Sequence, residues 1–228
     1  MIKYAVPGSK QELMNEAMLL DRYEASDIMA TPDGSSYLIV FDNTVSIGHL
    51  QRGVLTSSRG KNGLITWNPD KDTDEDNGNG FEAMTFNKTS QTFLFMKETH
   101  VEKNGDIRSF IYEVKLNPKD PFPSIDVVAR CHFEKQFSSE NKGIEGAAFF
   151  TIDSRSYLLA LCEGNFCESG KRGRIPGNGR ILMMERHENL QGNCSYKVNR
   201  VINIPAHVDF EDYSSISLHN NNKIAIVR

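Results

Sequence analysis

The chain has 228 residues, 39% hydrophobic and 25% charged, with a net charge of −4. A chain this long buries enough surface to fold without staples, and its near-average composition excludes a disordered or collagen-like polymer. The acidic balance argues against nucleic acid as the main partner, since phosphate binding needs concentrated Lys and Arg, and no window approaches the roughly 18 apolar residues of a membrane span.

Residues 1–23 lack the apolar stretch of a signal peptide, so a cytoplasmic chain is expected, or a secreted one whose leader has been removed. The first predicted unit opens at Tyr23-Glu24 with a strand through Ile28, turns at Thr31-Pro32-Asp33-Gly34-Ser35 and enters an apolar strand over residues 37–41. Two weaker strands follow at 45–55 and 64–67. The second unit opens at Phe81-Glu82-Ala83-Met84, turns at Asn87-Lys88-Thr89-Ser90, and continues with strands at 92–96, 107–116 and 125–133. The third opens at Ile144-Glu145-Gly146-Ala147-Ala148, with further strands at 157–161, 179–186 and 196–204. The fourth opens at Phe210-Glu211 and holds one more apolar strand, 223–227.

An apolar residue followed by Glu thus recurs about every 60 residues, and a fixed period of that kind marks a repeat architecture. Two buried strands followed by two more exposed ones, repeated, predict an all-β propeller. A sandwich is the alternative, but it gives no reason for Glu to head each unit. One domain over 1–228 is expected, with repeats near 24–81, 82–144, 145–210 and 211–228 plus 1–23. Either the two ends share a fourth blade, or the chain is part of a five- or six-bladed ring, in which case self-association would cover the open faces.

A residue heading the innermost strand of every blade recurs around the axis. Glu24, Glu82, Glu145 and Glu211 are therefore expected to converge at one mouth, where mutual repulsion favours a cation. All-oxygen donors suit Ca²⁺, with Mg²⁺ as the alternative. The other reading is that each Glu caps backbone amides or pairs with Lys or Arg of a neighbouring blade. Polar residues close the second strand of each unit: Asp42 and Asn43, Glu98 with His100, and Glu163 with Asn165. On loops at one end of the ring they would line a ligand pocket, with a carboxylate or His100 available as a general base. The basic, glycine-rich segment 171–180 and the acidic run 70–78 read as surface loops, neither matching a nucleotide-binding or EF-hand pattern. Cys131, Cys162, Cys167 and Cys194 are expected as buried thiols, the alternative being a secreted disulfide protein, and Cys162 and Cys167 could meet across the loop between them. Asn87-Lys88-Thr89 and Asn193-Cys194-Ser195 match the glycosylation pattern. No nucleophile motif occurs.

The segment Ile144-Glu145-Gly146-Ala147-Ala148, with Leu161-Cys162-Glu163-Gly164-Asn165 and Phe81-Glu82-Ala83-Met84, resembles calcium-dependent propellers of the esterase-like phytase and gluconolactonase/phosphotriesterase type. The likeness touches about half of the chain. It implies calcium held by Glu82, Glu145, Glu163 and Asn165 and hydrolysis of an ester, lactone or phosphate. A propeller fold alone equally serves a non-catalytic scaffold that presents a face to a small-molecule or protein ligand.

Overall fold

The computed structural model describes residues 23–53, 62–67, 80–101, 104–118, 123–139, 143–219 and 223–228. Strands β1 (Ala25–Ala30), β2 (Ser36–Phe41), β3 (Thr44–Gln51) and β4 (Gly63–Ile65) form an antiparallel sheet in chain order. The same meander recurs in β5 (Phe81–Asn87), β6 (Thr92–Val101), β7 (Ile107–Asn117) and β8 (Ser124–Phe133). It recurs again in β9 (Ile144–Ile152), β10 (Arg155–Cys162), β11 (Arg180–Glu188) and β12 (Cys194–Asn203). A hairpin of β13 (Ser215–His219) and β14 (Lys223–Val227) begins a fourth unit. A one-turn helix, α1 (Gly170–Gly173), lies between β10 and β11. Among the described residues no helix is long and apolar enough to cross a membrane.

The first strands lie side by side, β1 against β5, β5 against β9 and β9 against β13. Together they wall a cavity of about 940 Å³. Antiparallel meanders whose first strands surround a common axis are the arrangement of propeller blades. The second strands read as unbroken apolar runs because both of their faces are buried between neighbouring units. Along β6, Phe93 and Phe95 enter a core shared with Leu38, Val40 and Ile47 of the first unit, while Leu94 and Met96 enter one shared with Leu158 and Leu182 of the third. In β10, Leu158 and Ala160 face the second unit, whereas Leu159 and Leu161 meet Tyr213 and Ile216 of the fourth.

Main-chain contacts join the units at the heads of these strands. The Gly80 amide donates to the Asp42 carbonyl over 2.6 Å, and the Glu98 amide donates to the Gly80 carbonyl over 3.3 Å. Only glycine allows this approach, since a Cβ at Gly80 would stand 1.9 Å from the Phe41 carbonyl oxygen. Lower down, the Met84 amide donates to Asp27 Oδ2 and the Phe149 amide donates to Thr85 Oγ1.

All four cysteines are paired, which corrects the expectation of reduced thiols. Cys131 and Cys194 join β8 to β12 where the two strands run parallel at His132–Ser195 and Phe133–Tyr196. Cys162 and Cys167 close a short loop after β10. The first pairing was hidden because its cysteines stand 63 residues apart in two different units. Beside it, buried Glu113 accepts from Arg186 Nε at 2.7 Å and from the Tyr196 hydroxyl at 2.8 Å, a further tie between the second and third units.

The fourth unit departs from the predicted pattern. Glu211 is exposed in a loop ahead of β13 rather than at the strand's head. The acidic run 70–78 lies outside the described residues, as do residues 1–22, the expected partners of the fourth unit.

Candidate functional site

Carboxylate oxygens of Glu82, Glu98 and Glu145 lie within 4.8 Å of one another. Glu82 and Glu145 arrive by the same device, a bulge at the start of the first strand. Phe81 is opposite Lys97 and Ala83 opposite Met96, which leaves Glu82 as an extra residue in β5. Ile144 is opposite Cys162 and Gly146 opposite Leu161, which leaves Glu145 as the extra residue in β9. A bulge re-aims one side chain without reversing those that follow. Glu98 comes from β6, within a further irregularity between Lys97 and His100. Its Oε1 is held by the Thr99 amide at 2.7 Å and the Thr99 hydroxyl at 3.1 Å.

Glu82 and Glu98 are only 7% and 8% exposed. Burial pushes the Glu82 carboxyl up to about 10, helped by its hydrogen bond to Glu98 and by the charges of Glu145, Glu98 and Asp42. Without a cation, burial and the neighbouring carboxylates therefore favour a proton held within the cluster.

Two of the four glutamates expected at the axis stand outside this cluster. Counting from the bulges explains Glu24, because Ala25 is opposite Phe41 and Asp27 opposite Val40. The extra residue of β1 is therefore Ser26, and it is Ser26 that occupies the position of Glu82 and Glu145. Glu24 lies two residues too early: its amide donates to Asn43 Oδ1 at 3.3 Å and its carbonyl accepts from the Asp42 amide at 3.0 Å. Glu211 borders a separate recess of about 440 Å³ with Glu163, Asp212 and Arg228.

The second group of expected residues also divides. Glu98 and His100 do not sit on an open loop, because β6 continues through Val101. Both are buried, with the His100 ring stacked 4.7 Å from that of Phe110. Glu98 thus belongs to the carboxylate cluster and not to a loop-lined pocket. Asp42 and Asn43 form the β2–β3 turn, and Asp42 contributes its charge to the field at Glu82.

Asn165 is completely buried and ties together three stretches of chain. Its Nδ2 donates to the carbonyls of Gly173, Phe210 and Glu211 at 2.9–3.1 Å. Its Oδ1, the atom a metal would need, accepts from the Asn178 amide at 2.9 Å and the Tyr213 hydroxyl at 3.4 Å. The next two residues, Phe166 and Cys167, hold left-handed φ values of 58° and 54°, a costly backbone for side-chain-bearing residues. The basic segment beyond is partly structural: the guanidinium groups of Arg172 and Arg180 lie 4.9 and 5.1 Å from the Phe166 ring centre.

The alternation of apolar and polar residues carries no sign of a bulge, so neither Ser26 nor the inclusion of Glu98 is visible from spacing. The usable signal is the glycine two residues before Glu82 and Glu145, at Gly80 and Gly143, which Glu24 and Glu211 lack.

No family model and no curated protein matches the chain. Among solved structures, that of U3-55K is similar at 12% identity and a TM-score of 0.38, over 86% of this chain and 43% of that one. The chain thus spans less than half the length of that neighbour. At that distance the fold rests on this chain's own strand pairing.

Proposed function

We propose that the protein is a propeller-type binding scaffold whose axial mouth holds a divalent cation between Glu82, Glu98 and Glu145. The observation that carries this reading is the convergence of three carboxylates from three strands within 4.8 Å, two of them buried. Desolvated like charges at that spacing need either a proton or a cation. The donor set is all oxygen, with the Asp42 charge beside it, and fits Ca²⁺ or Mg²⁺ with other oxygens completing the shell.

Calorimetric titration of the divalent-free protein with calcium, then magnesium, tests the site. Saturable binding is expected, weakened at least tenfold in Glu145→Gln and Glu98→Gln. No uptake by the wild type, or equal uptake by Glu145→Gln, would remove the cation from the reading and leave the scaffold.

A calcium-dependent hydrolase of an ester, lactone or phosphate is the second reading. What favours it, besides the resemblance at Glu82, Glu145 and Glu163, is the recess of about 440 Å³ among Glu163, Glu211, Asp212 and Arg228. It lies at the same end of the strands as the cluster, since the Glu163 amide donates to the Gly143 carbonyl, two residues before Glu145. A bound ion would supply Lewis-acid polarisation there, and Arg228 offers a partner for an anionic group. Turnover of an aryl phosphate or acetate that needs calcium and Glu145 would favour this reading over the scaffold.

A further inference from the structure

The structure places the asparagines of the two Asn-x-Ser/Thr sequences oppositely, although the hydroxyl of each sequence is engaged, that of Ser195 donating to Glu134 Oε1 at 2.7 Å. Asn87 ends β5 at 8% exposure, and its Oδ1 accepts from the amides of Thr89 and Ser90 at 2.9 and 3.1 Å. The Thr89 hydroxyl stands 3.4 Å from that of Ser156 in the third unit. A sugar on Asn87 would have to occupy space the protein already fills.

Asn193 is exposed in the turn between β11 and β12. The turn is closed without its side chain: the Asn193 amide donates to Asn189 Oδ1 at 2.9 Å, and its carbonyl accepts from the Asn189 amide at 3.0 Å. Three residues away, Leu190 is fully exposed at the tip. The residue next to Asn193 is Cys194, disulfide-bonded to Cys131. Disulfides persist in oxidising compartments such as the lumen of the endoplasmic reticulum, where asparagine glycosylation also takes place.

We propose that Asn193 is an acceptor for an N-linked glycan and that Asn87 is not. The co-reactant is an oligosaccharide carried on a polyisoprenyl pyrophosphate. Asn193 Nδ2 bonds to the anomeric carbon of the first sugar as the bond from that carbon to the pyrophosphate breaks, and the lipid pyrophosphate leaves with the proton that Nδ2 gives up. The glycan would project from the hairpin tip and shelter Leu190 from contact with other molecules. This inference is independent of the cation site.

The test is secretion of the full chain behind a cleavable leader from a eukaryotic host, with intact mass and peptide mapping before and after peptide-N-glycosidase. Glycosidase-sensitive mass at Asn193 is expected, lost in Asn193→Gln and in Ser195→Ala and retained in Asn87→Gln. Non-reducing peptide maps restrict the reading to material with both disulfides formed, so that misfolded chain does not count. Secreted, disulfide-bonded protein without a glycan at Asn193, or with one at Asn87, would overturn the proposal.

Discussion

The junction between the second and third units and the junction between the third and fourth use the same repeat position in different ways. At the first, β6 runs on past Glu98, and Thr99 presents that carboxylate to Glu82 and Glu145. At the second, the equivalent Glu163 is followed by Gly164, the backbone leaves the strand, and Asn165 turns inward to bind the loop leading to β13. A Cβ at Gly164 would stand 2.2 Å from the Glu168 carbonyl oxygen, so that turn depends on glycine. One junction thus gathers carboxylates, whereas at the other Asn165 forms neutral hydrogen bonds. A repeat position specifies where a side chain stands, and the residue after it decides what the side chain does.

Among substitutions at one pH, the largest loss should come from the covalent tie at the first junction. Replacing Cys131 and Cys194 together by Ala should cost about 4 kcal/mol, against about 2 kcal/mol for Cys162 and Cys167, because the closed loop is much longer. Urea unfolding of the two double variants checks the order, and equal losses would show that loop length is not the deciding term. Next, Asn165→Ala should cost about 3 kcal/mol, since it strands several buried carbonyl and amide groups. Hydrogen exchange should quicken in β13 and β14 while β5–β8 stay protected. Uniform quickening would mean that the two junctions are not separable.

The charged junction is distinguished instead by a slope of stability with pH. The unfolded chain releases the Glu82 proton near 4.5, whereas the folded chain holds it to about 10. Between those values the unfolded state binds fewer protons, so stability in divalent-free buffer should fall as pH rises, by at most about 1.4 kcal/mol per unit for one proton. Glu82→Gln should flatten the slope, and calcium should do so if the proposed site is correct. Urea midpoints from about pH 5 to pH 9 measure it. The smallest change is expected from Arg172→Ala, whose exposed ion pair with Glu168 at 3.2 Å should contribute less than about 0.5 kcal/mol.

Much of the strand order was legible because both faces of the second strands are buried, so that residues 92–96 and 157–161 stand out as apolar runs between turns. The third and fourth strands were legible in the second and third units, where polar and apolar residues alternate. The cluster was legible only in part. The apolar-Glu motif picks out Glu82 and Glu145, but it counts along the chain, whereas position in a sheet is counted across hydrogen bonds. Each of β1, β5 and β9 carries one extra residue, and in β1 that residue is Ser26, two positions beyond the Glu24 that the motif suggests. Asn165 looks like a loop-end ligand in one dimension, because its partners Phe210 and Glu211 lie more than 40 residues away.

The supernumerary residues at Glu82 and Glu145 also bear on how this fold tolerates change. Removing an ordinary residue from the middle of a strand reverses every side chain beyond it and empties two cores at once. Removing Glu82 or Glu145 would instead restore regular pairing and leave the downstream side chains on their present faces. The acidic groups thus occupy the points in their strands where shortening by one residue disturbs the surrounding framework least, so the chemistry of this mouth is free to be rewritten while the architecture beneath it stays put.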